Sequence, residues 1–481
     1  MIYLSAQPDT TYFTWQLALQ LRNFHSMGIL KENIQVLVAY NRELGLNPAF
    51  QIFIEENKHL ASFYIYGDKR IKPKYTSSIR PNILKQHFDL FPGLVNETIM
   101  YHDSDILFSR IPEIVDVEKN DVCYVSDTRH YLDVNCIRYS ASENLLNDML
   151  NVVGLSKEKL MQEDNQTGGA QYILKKITSA FWEKVERDSE DLYTVMIDFN
   201  LKLWQKDYPS TKEFRSKKRG IQAWCADMWA VLWNLWLMDK NVEIHPEMEF
   251  SWPYNPIEDW NRLAIQHYSG IIEDKSKYFR KGEYINYMPW YDDALDIIPN
   301  SSCSYEIVKM IKNYRYNLDL NREACPNEEI ILYSNAPDMH TIAIFNIYKK
   351  YLHKYLDIVI TMCTEQLDQF VRIRTSGNFL KSCLIIPIDH LLNITEIKKI
   401  LKGSSGLCIS IKNLYQSDVL FTEAFSKILE IELLTNNKGK FMQATVSKPI
   451  YRICVAHHVT NSEPNFSSLE QGFLEEAYCL S

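Results

Sequence analysis

Short apolar runs alternate with longer amphipathic stretches over the first hundred residues, in the rhythm of a repeated strand-helix unit. "IYLSA" (2–6) reads as a strand, and "TYFTWQLALQLRNFHSM" (11–27) as a helix whose apolar residues recur at helical spacing. "IQVLVAY" (34–40) is a second strand followed by a helix near 47–58. "ASFYIYG" (61–67) and "IRPNILKQHFDLF" (79–91) form a third pair, and "TIMYHDSD" (98–105) a fourth strand. Three such units in a row predict a parallel sheet flanked by helices, an α/β architecture of Rossmann type.

Beyond residue 105 the pattern loosens. A strand at 121–127 is followed by a polar turn within "NQTGGAQYI" (165–173), a long helical stretch near 179–206 and a tryptophan-rich helix at about 222–239. Two further β-like runs, 241–252 and 263–271, lead to "YFRKGEY" (278–284). All ten tryptophans lie at or before Trp290, and seven of the ten cysteines lie after it, which marks a domain boundary. The sequence therefore divides into a first domain over 1–295, a linker or helical bridge over 296–326 and a smaller α/β domain over 327–481. In the last of these, "IILYSN", a helix from about 340 to 353, "LDIVIT", "SCLIIPI", "GLCISI" and "IYRICVA" supply the pattern, without an assignable motif.

Composition narrows the chemistry. At 481 residues and 46% apolar content the chain can bury more than one core. A formal charge of −9, with no sustained basic run beyond "RSKKR" at 215–219, argues against a nucleic-acid partner. The opening "MIYLSAQPDT" has neither the basic region nor the apolar core of a secretory signal, and "WAVLWNLWLM" (229–238) is about half a membrane span, so the expectation is a cytoplasmic protein. The cysteines form no C-x-x-C pair and read as buried thiols.

The candidate chemistry begins at Asp103-Ser104-Asp105, directly behind an apolar strand. On an extended segment side chains alternate faces, so Asp103 and Asp105 point the same way and make a pair of oxygen ligands. Paired carboxylates hold Mg²⁺ or Mn²⁺ while leaving positions open for phosphate oxygens. In open α/β sheets ligands gather beyond the carboxyl ends of the strands, which is where this pair falls. His267 stands near the end of a late β-like run, where an imidazole would complete an oxygen-rich manganese site. Arg280 and Lys281 follow as cations for phosphates. Each feature also has a plainer explanation: acidic pairs solvate turns, a lone histidine packs in a core, and "RKG" makes an exposed turn.

The order of these parts resembles the GT-A class of nucleotide-sugar glycosyltransferases: an N-terminal nucleotide-binding region, a hydrophobic strand ending in D-x-D, a Gly-Gly turn, an acid-bearing helix and a late H-x-x-G. The opening "TYFTWQ" also looks like that of peptidyl-serine galactosyltransferases, over a few residues. The broader resemblance covers about 1–290. It implies Asp103, Asp105 and His267 as ligands of Mn²⁺ or Mg²⁺, with Ser104 between the two acids, and Lys281 as a contact to the donor diphosphate. It implies Ser5, Ala6, Gln7 and Tyr12 beneath the nucleotide, Arg80 directed toward nucleotide or sugar, and Gly168-Gly169 close to the donor sugar. A plain βα turn, a helix start at Arg80-Pro81 and a flexible glycine turn account for the same residues equally well.

Asp227, in "QAWCADMWAVLWNLW", is the acid that the resemblance places beside the acceptor, either as general base or as support for a sugar cation. Capping of its own helix is the other explanation. Trp229, Trp233 and Trp236 recur at spacings of four and three and read as a packed face, whereas Trp224 or Trp252 offers a ring to a sugar. The expected partners are a nucleotide-sugar donor, a UDP-sugar first, and a hydroxyl acceptor on a glycan, protein or small molecule. A silent carbohydrate- or nucleotide-binding protein of the same fold is the alternative. Phosphatases with a D-x-D after the first strand fit less well, since Leu107 stands where they carry Thr or Val. Sugar nucleotidyltransferases need a glycine-rich basic loop that residues 1–20 lack.

Overall fold

The first four strands repeat the βα unit that the hydrophobic pattern predicts: β1 (Ile2–Pro8), α1 (Thr11–Ser26), β2 (Ile34–Tyr40), α2 (Pro48–Asn57), β3 (Ser62–Gly67), α3 (Ile79–Leu90) and β4 (Ile99–Tyr101). In the computed structural model the described residues are 1–334, apart from 116, 212–219, 286–287 and 322, and beyond them chiefly 355–364 and 382–387. Strands β1 to β4 lie parallel in the order β3-β2-β1-β4, with a helix in each crossover between them.

The fourth strand is shorter than the sequence pattern suggests. It stops at Tyr101, and residues 102–105 form a turn before β5 (Ile106–Phe108). The two acids therefore do not share a face of one extended strand. The turn is needed because the chain changes sheets: β4 pairs with β1 in the large sheet, whereas β5 pairs with β10 (Ile265–His267) in a second, three-stranded sheet of order β5-β10-β9.

Next come β6 (Cys123–Asp127), the short helices α4 (Arg129–Leu132), α5 (Val134–Ser140), α6 (Glu143–Val153) and α7 (Lys157–Glu163), then β7 (Gly168–Leu174). The glycine segment is thus a fully buried strand rather than the expected polar turn. It runs antiparallel between β4 and β6, and Tyr172 and Leu174 of its apolar half enter the main core. After α8 (Ser179–Thr211) and α9 (Ala226–Leu237), β8 (Val242–Ile244) completes a seven-stranded sheet, β3-β2-β1-β4-β7-β6-β8. The strand β9 (Phe250–Ser251) and α10 (Ile257–Arg262) precede β10. Trp229, Trp233 and Trp236 of α9 are buried in the main core, which is the packed face their spacing predicts.

The described residues divide into two compact units, one built from Met1–Ile285 with Ala294–Met310, the other containing 288–293 and the described residues that follow Met310. The helix α11 (Ser304–Asn321) occupies most of the predicted bridge. In the second unit β11 (Glu323–Tyr333), β12 (Leu356–Cys363) and β13 (Ser382–Pro387) form a parallel sheet in the order β12-β11-β13. The strands expected at "GLCISI" and "IYRICVA", and most of the helix expected at 340–353, lie outside the described residues. No helix among the described residues is long and apolar enough to cross a membrane.

One buried histidine ties α3 to the sheet. His87 Nδ1 is 2.7 Å from the Tyr66 hydroxyl of β3, and its Nε2 is 2.9 Å from Gln35 Oε1 of β2. An amide oxygen only accepts, so Nε2 carries the ring proton and Nδ1 accepts from Tyr66. Burial lowers the His87 pKa to about 4. Below the unfolded value of about 6.5 the unfolded chain binds the proton more readily, so this contribution to stability is present above that pH and fades toward pH 4. Urea unfolding of wild type and His87→Gln between pH 7 and pH 4 tests the point. The variant should show a shallower loss on acidification, by as much as about 3 kcal/mol, and identical pH profiles would refute it.

Candidate active site

The turn that joins the two sheets is held from below by amides of α1. That helix is mostly apolar where it is buried, yet it carries Gln16, Gln20 and Asn23 inward at spacings of four and three. Gln20 Nε2 donates to the Asp103 carbonyl at 2.8 Å, and Ser104 Oγ donates to Gln16 Oε1 at 3.2 Å. Asn23 makes both bonds with the Phe108 backbone, donating to its carbonyl at 2.9 Å and accepting from its N–H at 2.7 Å. A buried turn exposes backbone groups with no ladder partner, and these side chains satisfy them. Ser104 consequently faces α1, not the side where the acids gather. Three amides at helical spacing on an apolar face were the available sequence signal for this support.

On its other side the turn presents three ligand-type groups together. Asp103, Asp105 and His267 each offer one atom, and those atoms lie within 4.8 Å of one another. His267 Nε2 is 3.2 Å from Asp105 Oδ1 and 3.7 Å from Asp103 Oδ2. Its position follows from strand pairing, because His267 stands opposite Ile106 in the β10–β5 ladder and the Tyr268 N–H donates to the Asp105 carbonyl at 3.0 Å. Trp252 stacks on the imidazole at 5.6 Å between centroids, and Phe250 meets it edge-on at 5.4 Å. That face of Trp252 is thereby committed to His267 rather than to a sugar.

The remaining carboxylate oxygens turn outward to cations. Lys281 Nζ is 2.5 Å from Asp105 Oδ2, and Arg80 Nη1, from the first turn of α3, is 2.6 Å from Asp103 Oδ1. Burial alone would raise the Asp105 carboxyl, but His267 and Lys281 beside it outweigh that and hold it well below the usual carboxylate range. Burial likewise opposes the Lys281 charge, and Asp105 overcomes it, so the ammonium is held well above its ordinary value. Lys281 also lies 5.8 Å from the centroid of the Tyr12 ring, which brings Tyr12 to the edge of the site.

Asp227, in the first turn of α9, joins the cluster through Arg80, whose Nη1 is 3.6 Å from its Oδ2. Tyr75, which the sequence did not single out, donates to Asp227 Oδ1 at 2.8 Å and lies 2.5 Å from the Trp224 carbonyl. Burial raises the Asp227 carboxyl, with Arg80 and the Tyr75 hydroxyl acting against it.

The strand-end residues divide by face. Ser5 and Gln7 point to one side of β1 and Ala6 to the other, where it packs in the main core with Leu4. Gln7 Nε2 donates to the Leu37 carbonyl at 2.7 Å, while Gln7 Oε1 and Ser5 Oγ are buried with no hydrogen-bond partner among the described residues. The space beside each strand glycine is filled by protein. A Cβ on Gly168 would lie 2.2 Å from Val125 Cγ2, and one on Gly169 would lie 2.8 Å from Met228 Cε and 2.9 Å from the Tyr172 hydroxyl. Close packing of β7 on β6 and α9 therefore accounts for both glycines, and the Tyr172 hydroxyl is itself buried without a partner among the described residues.

No protein-family model matches this chain, and no curated protein does. Among solved structures, the apo WbbM bifunctional glycosyltransferase superposes with a TM-score of 0.34 at 10% identity, over 64% of this chain and 51% of that one. This chain thus spans about half the length of that relative. The galactosyltransferase LgtC in complex with donor and acceptor sugar analogues gives a TM-score of 0.32 at 11% identity, over 65% of this chain and 96% of that one. The mannosyltransferase PcManGT from Pyrobaculum calidifontis, in complex with GDP-Man and Mn²⁺, gives 0.19 at 11% identity, over 50% and 71%. Likeness at this level carries no argument about activity, which has to come from the geometry of the site.

The Arg80 bridge yields a prediction. Removing its charge in Arg80→Met leaves Asp227 buried beside Asp103 with no cation, so the Asp227 pKa rises further above its unfolded value. Between those two values the folded protein then binds more protons than the unfolded chain, and stability falls as pH rises. Arg80→Met should cost about 2 kcal/mol at pH 7 and clearly less at pH 5, measured by urea denaturation. A loss independent of pH would contradict this account.

Proposed function

We propose that this chain is a metal-dependent glycosyltransferase, moving a sugar from a nucleotide donor, foremost a UDP-sugar, to a hydroxyl acceptor. The observation that carries the proposal is the division of labour within each carboxylate. One oxygen of Asp103 and one of Asp105 face His267 Nε2, while the other oxygen of each is held by Arg80 or Lys281. Ligand atoms around a small octahedral cation lie about 3 Å apart when adjacent and about 4 Å apart when opposite. The 3.2 and 3.7 Å separations fall in that range. Two oxygens with one imidazole nitrogen suit Mn²⁺ or Mg²⁺ better than a soft-ligand metal. Bound there, the ion would neutralise negative charge on the departing nucleoside diphosphate.

The chain's own groups supply the rest. Lys281, kept charged by Asp105, is assigned to the same diphosphate oxygens as a point charge. The unpartnered Ser5 Oγ and Gln7 Oε1, on the face of β1 opposite the core, are polar atoms that suit a polar ligand such as a nucleobase. In the transfer, the bond from the anomeric carbon to the diphosphate oxygen breaks and a bond from that carbon to the acceptor oxygen forms. Asp227 is assigned the proton that the acceptor hydroxyl loses, a role that a buried carboxyl with a raised pKa suits. In this reading Arg80 and Lys281, anchored by Asp103 and Asp105, supply fixed positive charge toward the departing diphosphate.

A donor array tests the reading: UDP- and GDP-sugars with Mn²⁺, with and without hydroxyl acceptors, followed by release of nucleoside diphosphate. Turnover of at least one donor is expected, with a loss of about 100-fold or more in Asp105→Asn. Metal-independent nucleotide binding with no turnover of any donor would favour a binding protein and overturn the proposal.

A further inference from the structure

We infer that Gln171, with Ser126 behind it, is the positioning residue that sets which nitrogen of His267 is offered to a divalent cation, an inference that rests on the metal reading above. Gln171 is fully buried on β7, and its Nε2 is 3.4 Å from His267 Nδ1, while its Oε1 accepts from Ser126 Oγ at 2.7 Å. These contacts link the large sheet to the small one at the metal-facing imidazole.

The backbone is deformed where this contact is made. Along β6 and β7, Tyr124 pairs with Ile173 and Val125 with Tyr172, so a regular ladder would set Ser126 opposite Gln171. Instead Ser126 pairs with Gly169, leaving Ala170 and Gln171 outside the ladder as a bulge. Ala170 sits at φ 64°, a left-handed conformation that is strained for an alanine. Gly168 and Gly169 allow the strand to close on Val125 and Met228 immediately before the bulge. Bulges beside functional sites re-aim side chains, and this one aims an amide at Nδ1.

The chemistry of the pair explains why an amide is used. An amide N–H pointing at Nδ1 matches an imidazole whose own proton is on Nε2, facing the two aspartates. A cation on Nε2 requires that proton to be on Nδ1, which then needs an acceptor. Half a turn about the last torsion of Gln171 presents Oε1 to Nδ1 instead, a rotation with a broad, two-fold energy profile. Ser126 can follow, because its hydroxyl accepts from the amide nitrogen as readily as it donates to the oxygen. Gln171 and Ser126 thus satisfy both tautomers without moving the ring, which Trp252 and Phe250 hold in place.

The test is calorimetric titration of the full chain with Mn²⁺ alone, with the thermal midpoint in the absence of added metal as the measure of folding. Gln171→Leu should bind about 10- to 100-fold more weakly than wild type. Gln171→Glu, which keeps acceptors for both Nδ1–H and Ser126, should restore affinity to within about fivefold of wild type. A merely structural role would not be rescued in this way. A folded Gln171→Leu that binds Mn²⁺ as wild type does, or a Gln171→Glu as weak as the leucine variant, overturns the assignment. Should Gln171→Leu fail to fold, Ser126→Ala decides: weaker binding supports the assignment and unchanged binding overturns it. Wild type that takes up no Mn²⁺, or an Asp105→Ala that binds as wild type does, sinks the metal reading and this inference with it. Binding that requires Asp105 but ignores Gln171 sinks this inference alone.

Discussion

Two carboxylates brought within reach of one imidazole repel each other, and both lose water in the process. Asp103 is partly exposed and Asp105 is buried, so the cost falls mostly on Asp105. Lys281 meets Asp105 and Arg80 meets Asp103, each at one oxygen, and the opposed oxygens are left facing His267. Cations on the outside make acids on the inside tolerable, and the inner oxygens with His267 form a group that could hold a metal ion.

The same constraint reaches into the fold. A turn carrying two acids does not stay buried unless its backbone is satisfied, and here Gln20 of the first helix takes the Asp103 carbonyl while Asn23 anchors Phe108 at the end of the strand that follows. The first crossover of the sheet is thus also the floor of the site. Opposite it, β10 fixes His267 by pairing with β5, and the bulge in β7 delivers Gln171 to the far nitrogen of the ring. The acids sit at the junction of the two sheets because the chain leaves one sheet and joins the other between Tyr101 and Ile106.

Asp227 belongs to the site through a relay rather than by direct approach. Arg80 stands between it and Asp103, and Tyr75 holds its other oxygen. The two acids consequently have different electrostatic surroundings. Asp105 is held ionised by His267 and Lys281 beside it, whereas Asp227 is pushed by burial toward its neutral form.

The βα rhythm of residues 1–101 was legible in the sequence because its signal is local: apolar periodicity and β-branched runs determine the elements before any tertiary contact forms. The D-x-D and the late histidine were legible as residue types, since acids directly behind an apolar run stand out against it. Their geometry was not. The acids lie on a sheet-changing turn rather than an extended strand, and the glycine segment is a buried central strand rather than a turn. Ser104 and Ala6 face away from the candidate ligand side because Gln16 and the core claim them. Tyr75, Ser126 and Gln171 carried no local mark at all. Their roles come from residues more than forty positions distant, through a strand pairing and a register shift that only the folded chain decides.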